Sequence, residues 1–221
     1  MSIPTYIFGS VLLLGLFMYV RYQRKSLKAA STNSSIDKKT KPDLTIRRAD
    51  ATDIEIIRNL ALEIWPRTYS QLFSPQQVIY MLNIWFSEAS LLKQMRDQHQ
   101  FTLIYSGSFP IGFASCSEVR PYVFKLHRIY ILPAYQGLGA GKCIMNHIIK
   151  EIKSGNASSL ILNITQNNPA KAFYEQLGFQ VVRTESTKVG NGIMINDFVM
   201  ELDLQNPSEK SGCAEALQSI S

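Results

Sequence analysis

The strongest constraint on this chain lies in Ile129-Tyr-Ile-Leu-Pro-Ala-Tyr-Gln136-Gly-Leu-Gly-Ala-Gly-Lys142. A β-branched run stops at Pro133. After a short turn, Gly137, Gly139 and Gly141 alternate with Leu138 and Ala140, and a helical pattern begins. Such a strand–loop–helix unit presents backbone N–H groups. Glycine lets the main chain approach a ligand closely, and the first helical turn has unpaired donors at the positive end of its dipole. The loop suits a phosphate. The plain alternative is a structural glycine-rich turn.

Spacing removes two kinds of phosphate loop. A Walker loop needs glycine five residues before its Gly-Lys pair and Ser or Thr after it; Gln136 and Cys143 stand there. A dinucleotide fingerprint needs a further glycine three residues after the second, and counting from Gly139 lands on Lys142. What remains is Gln136-x-x-Gly139-x-Gly141 after a strand. This resembles the acetyl-CoA pyrophosphate loop of the GNAT superfamily of N-acetyltransferases. A second stretch, Leu160-Ile-Leu-Asn-Ile-Thr-Gln-Asn167-Asn-Pro-Ala170-Lys-Ala-Phe173-Tyr174-Glu-Gln-Leu-Gly178-Phe179, is similar to the strand, loop and helix that close the same site. The resemblance covers about 44–204.

The resemblance implies a layered α/β fold, with a mixed central sheet splayed at the acetyl-CoA site and helices on both faces. It also assigns roles. The backbone of Ile129, Tyr130 and Ile131 would pair with the pantetheine arm, and the Ile131 N–H would polarise the thioester. Gln136, Gly137, Leu138, Gly139, Ala140, Gly141 and Lys142 would cradle the pyrophosphate. Asn167 would bond to the pantetheine at the splay, although an Asx-turn is an equal reading. Tyr174 would protonate the departing sulfur; a free phenol has a pKa of about 10 and holds its proton at neutral pH. Lys125, Glu118 and His127 were weighed as bases and none is assigned. The acceptor would be a primary amine of a small molecule or a protein. A non-catalytic acyl-CoA-binding module and an enzyme for longer acyl groups stay open.

The order of elements agrees with one layered domain. Leu44–Arg48 alternates as a strand. Thr52-Asp-Ile-Glu55 reads as a capping box opening a helix that Pro66 ends or kinks, and Ser74-Pro75 opens the next. Leu91, Leu92 and Met95 suggest a third. Phe101–Tyr105 and Pro110–Cys116 read as a hairpin, followed by a long strand over Val123–Leu132. A helix over Gly141–Lys153, a strand over Ser159–Ile164, a helix from Pro169 closed by Gly178, and two last strands over Phe179–Thr187 and Ile193–Leu204 complete it.

The first residues read differently. Ile3–Val20 is apolar and uncharged, and Arg21, Arg24, Lys25 and Lys28 follow. About 17 to 25 residues span a bilayer as a helix. The expectation is therefore an N-terminal hydrophobic helix anchoring the chain over 1–22. A polar basic linker over 23–43 and a polar tail over 205–221 complete the layout, with the domain facing the cytoplasm by its basic flank. A mis-chosen start codon, leaving a cytoplasmic protein, is the alternative. The residues before Leu44 carry seven basic and two acidic side chains, so nearly all of the net +6 is theirs. The near-neutral remainder argues against nucleic-acid binding. Three scattered cysteines and three scattered histidines show no metal-ligand spacing. Nothing in the sequence speaks to oligomeric state.

Overall fold

The computed structural model describes residues 42–190 and 192–205. Seven strands form one sheet in the order β1-β2-β3-β4-β5-β7-β6. They are β1 (Leu44–Arg48), β2 (Gln100–Ser106), β3 (Phe109–Arg120), β4 (Val123–Ile131), β5 (Ser159–Thr165), β6 (Gln180–Gly190) and β7 (Ile193–Asp203). Every neighbouring pair is antiparallel except β4 with β5. A parallel pair needs a crossover, and helix α4 (Ala140–Ser154) supplies it. Three helices, α1 (Ile54–Tyr69), α2 (Pro75–Phe86) and α3 (Glu88–Arg96), lie between β1 and β2 in the chain, and α5 (Lys171–Gln176) lies between β5 and β6.

Alternation along the strands builds two cores. Phe101, Leu103 and Phe113 face α1, α2 and α3, packing with Ile57, Leu60, Ile64 and Met81. Ile104, Ala114, Leu126, Leu160 and Leu162 face the other way, against Ile144, Met145 and Ile148 of α4 and Tyr174 of α5. Ile152 completes the buried stripe of α4, with Ile149 at its margin. The layered mixed sheet with helices on both faces is as the sequence implied.

Three local readings change. The first cap is Asp50, not Thr52: Asp50 and Asp53 form the reciprocal capping box, on a short 3-10 turn ahead of α1. Arg47 reaches both Asp53 carboxylate oxygens at 2.7 Å and fixes that choice. Pro66 does not end α1, which runs on to Tyr69. Proline removes one helical hydrogen bond, but the turn beyond it is held by packing: the Trp65 and Tyr69 rings lie 4.5 Å apart. The helix expected from Pro169 begins at Lys171.

The expected anchor over 1–22, and nearly all of the linker and tail, lie outside the described residues. The membrane placement is corrected: among the described residues no helix is long and apolar enough to cross a membrane.

Candidate functional site

The sheet opens where β4 leaves β5. The two strands pair from Val123 with Ser159 to Leu126 with Leu162 and no further. The next residue of β4, His127, is an extra one: against β3, Leu126 faces Cys116 and Arg128 already faces Ser115. Such a bulge bends its strand and increases the twist. Beyond it Ile129, Tyr130 and Ile131 keep their β3 partners, while Asn163, Ile164 and Thr165 of β5 pair with β7. A cleft of about 1050 Å³ lies along the gap. That is at the upper end of small-molecule sites, roughly 300–1,000 Å³, and admits two reactants.

The open edge of β4 carries free donors. Leu132 N–H donates to the Ile111 carbonyl on β3 at 2.8 Å. Antiparallel alternation then turns the amides of Ile131 and Ile129 toward the cleft. Gln136 Nε2 donates to the Ile131 carbonyl at 2.8 Å and ties the glycine loop to that edge. Gly137 and Gly139 hold φ of +74° and +89°, and an added β-carbon at either would meet nothing within 4 Å. Backbone conformation, rather than crowding, therefore demands glycine there. Gly139 is the N-cap of α4, whose first amides face the loop.

From β4, Ile129, Tyr130 and Ile131 line the cleft; from the loop, Gln136, Gly137 and Gly139 do, with Gly141 and Lys142 behind them. Tyr174 lines it from α5. Leu138 is exposed and Ala140, the first residue of α4, is buried in the core, and neither lines the cleft. Asn167 is exposed and off the lining. Its neighbour Asn168 takes the wall position, its side chain accepting from the Ala170 N–H at 2.9 Å. The Asx-turn belongs to Asn168.

Burial, and secondarily Tyr69, pushes the Tyr174 phenol well above its ordinary range, so it keeps its proton at neutral pH. Tyr69 and Tyr130 hydroxyls lie 3.3 Å apart in the wall beside it. Trp65 packs there on Trp85, with ring centroids 5.4 Å apart, and its Nε1 is buried without a hydrogen-bond partner. Arg128 is buried over the Phe86 ring at 4.9 Å and bonds Gln94. Among the bases weighed from sequence, Glu118 is spent on the Tyr122 N–H at 2.8 Å. His127 bonds Ser117 at 2.8 Å, and burial drives its pKa down to about 3. A group so acidic is a weak base. The sequence reading passed over Asp197, which lines the cleft from β7. Its signal was legible: strand alternation places it after Ile193 and Ile195, a carboxylate in an inward apolar row. Among the described residues no group of His, Cys, Asp or Glu could hold a metal ion.

A sheet splayed over a glycine-rich helix entry, with an open strand edge beside it, suits an acyl-CoA-dependent acyltransferase. The model of the acetyltransferase (GNAT) domain matches residues 71–202. The chain belongs to that family and is an N-acetyltransferase, with acetyl-CoA as its acyl donor. It is 26% identical to the spermidine N(1)-acetyltransferase of Thermoplasma acidophilum, over 72% of this chain and 96% of that one. It is 39% identical to the [ribosomal protein bS18]-alanine N-acetyltransferase of Haemophilus influenzae over 33% of this chain, a match spanning only 49% of that relative's length. Among solved structures it is similar to the PaiA N-acetyltransferase of Thermoplasma acidophilum in complex with coenzyme A, with a TM-score of 0.63, 25% identity, and coverage of 73% of this chain and 99% of that one. The residues present fit the donor: two left-handed glycines, a helix N-terminus and an unpaired strand edge line one cleft.

Proposed function

We propose that the chain transfers the acetyl group directly to a primary amine, with Tyr174 protonating the departing sulfur. The unit that does this is 44–204. One observation carries the reading: a buried, protonated Tyr174 lines the same cleft as the unpaired edge of β4 and the glycine loop. In that reading the Ile129 and Ile131 amides hold the pantetheine arm as an added strand would. The Ile131 N–H stabilises charge on the thioester oxygen. The amides of the Gln136–Lys142 loop receive the pyrophosphate, and Asn168 replaces Asn167 at the splay. The relatives named for spermidine and for a ribosomal-protein alanine make polyamines and peptide N-termini the first acceptors to try.

The test is the purified chain with acetyl-CoA and a panel of polyamines and alanine-first peptides, followed by thiol release. Transfer above the amine-free background is expected. Tyr174→Phe is expected to lower kcat by about 10²-fold or more, in the range for a lost general acid, while acetyl-CoA affinity holds. Binding without transfer to any acceptor would favour a non-catalytic acyl-CoA sensor, and an undiminished Tyr174→Phe would remove the phenol from the mechanism.

A further inference from the structure

The base left unassigned by the sequence has a candidate in β7. Ile193 and Ile195 pack into the helix-side core, and alternation sets Asp197 on the same face. It stands opposite Thr165 of β5 and Glu185 of β6. It lines the cleft with Tyr69 and Tyr174. Its Oδ1 is buried and has no hydrogen-bond partner. Leaving a buried carboxylate oxygen unmet is unfavourable, and an ammonium seated at this wall of the cleft is the kind of group that would meet it.

The neighbouring charges are accounted for. Glu185 is engaged by Asn163 at 3.0 Å and by Arg183 at 2.7 Å. Burial opposes the charged form of Asp197 most; hydrogen bonding from the Thr165 and Asn163 side chains favours it, Lys125 on β4 adds to that, and Glu185 opposes it, so it is Oδ1 alone that stays unpartnered. Tyr69 on α1 feels Asp197 on one side and acts on Tyr174 on the other. The wall beside these groups is aromatic, with Trp65, Tyr69 and Trp85, which suits an ammonium.

We infer that Asp197 receives the acceptor's ammonium group and takes one of its protons, so that the amine meets the acyl carbon neutral. The inference rests on the cleft being the transfer site. One N–H proton of the ammonium passes to the Asp197 carboxylate. The freed lone pair forms the C–N bond, the C–S bond breaks, and Tyr174 gives its proton to the sulfur. The second proton lost by nitrogen restores Tyr174 through solvent, and Asp197 returns its own to water. The products are the amide, the free thiol and one proton. Burial lifts the Asp197 carboxyl above its ordinary value, which makes it a better base once ionised.

The experiment compares Asp197→Asn and Asp197→Glu with the wild-type chain, using whichever polyamine or peptide of the panel is acetylated. Asp197→Asn is expected to lower kcat/KM for the amine at least 100-fold at pH 7 and to leave the Kd for coenzyme A within twofold. Its deficit should shrink as pH rises, because solvent then supplies the neutral amine, and Asp197→Glu should recover part of the rate. Carboxyl carbon NMR of the coenzyme-free chain should show Asp197 titrating above the ordinary aspartate value. Equal deficits at every pH, or no deficit, would overturn the role while leaving transfer and Tyr174 in place. A wild-type chain that binds coenzyme A and acetylates nothing in the panel would overturn the transfer reading and this inference with it.

Discussion

Gly112→Ala separates the architecture of the cleft from its chemistry. Gly112 sits on β3 opposite Ile131. A β-carbon there would lie 2.4 Å from the Tyr130 carbonyl oxygen and 2.6 Å from Ile131 Cδ1. The Cδ1 atom ends a side chain and can swing away; the carbonyl oxygen belongs to β4 itself. An unstrained C···O contact needs about 3.3 Å, so the two strands must part locally by roughly 0.9 Å. That weakens about two flanking ladder bonds, worth ~0.5–1.5 kcal/mol each, and adds overpacking strain of ~1–3 kcal/mol. A net loss of roughly 3 kcal/mol is expected. The same shift moves the open edge of β4, so acetyl-CoA affinity should fall with it. Gly137→Ala is the control: at φ +74° with nothing within 4 Å, it costs only the left-handed strain of about 1–2 kcal/mol. Equilibrium urea denaturation reads both, as a lower midpoint at constant slope. A Gly112→Ala chain within ~0.5 kcal/mol of wild type, or no worse than Gly137→Ala, would refute the close approach of β3 to β4.

Gln136→Ala removes the 2.8 Å tie to the Ile131 carbonyl. Initial rates should show KM for acetyl-CoA raised about tenfold, the equivalent of a bond worth ~1.4 kcal/mol, with kcat little changed; an unaltered KM would detach the loop from the strand edge. The His127 imidazole, held at about 3 by burial and then by His99, Lys125 and Arg128, gives a pH dependence of stability. An unfolded histidine titrates at about 6.5, so between those values the unfolded chain binds a proton that the folded one refuses. Stability should therefore fall as pH drops below about 6.5, by up to ~1.4 kcal/mol per pH unit from this residue. Urea midpoints at pH 7, 6 and 5 measure it, and His127→Gln should flatten the slope; an identical slope in the variant would place the titration elsewhere.

The half of the cleft proposed to hold the acyl donor is built by local chain chemistry, which a sequence displays. A strand end, two left-handed glycines and a helix start follow one another within Ile129–Lys142. Ser74 with Gln77 caps α2 for the same reason. Local rules failed where two neighbours satisfy one rule. Asp50 with Asp53 and Thr52 with Glu55 both have box spacing, and only Arg47, arriving from β1, decides between them. Asn167 and Asn168 are both fit for the splay, and the turn into α5 selects the second. Pro66 reads as an end or a kink, and the packing of Tyr69 on Trp65 accompanies the turn that continues past it. The half proposed for the acceptor resisted because its parts come from α1, β5 and β7, which only the folded sheet brings together.

The position of the cleft follows from one inserted residue. Without the extra His127, β4 would keep its register on β3, and nothing would turn it from β5 after Leu126. Bulges relax when the extra side chain has no anchor, but this one is held: its ring bonds Ser117 at 2.8 Å and stacks on His99 at 4.1 Å. The imidazole stays neutral, so it holds those contacts without adding charge beside the buried Arg128. The gap between the strands is therefore a property of the folded chain and does not wait for a ligand to open it. In the proposed reaction the free Ile131 amide is then held in place beforehand, the condition under which a backbone donor stabilises developing charge without reorganising at the moment of reaction. A residue weighed as a base thus has a better-supported role as the wedge that keeps the strand edge open.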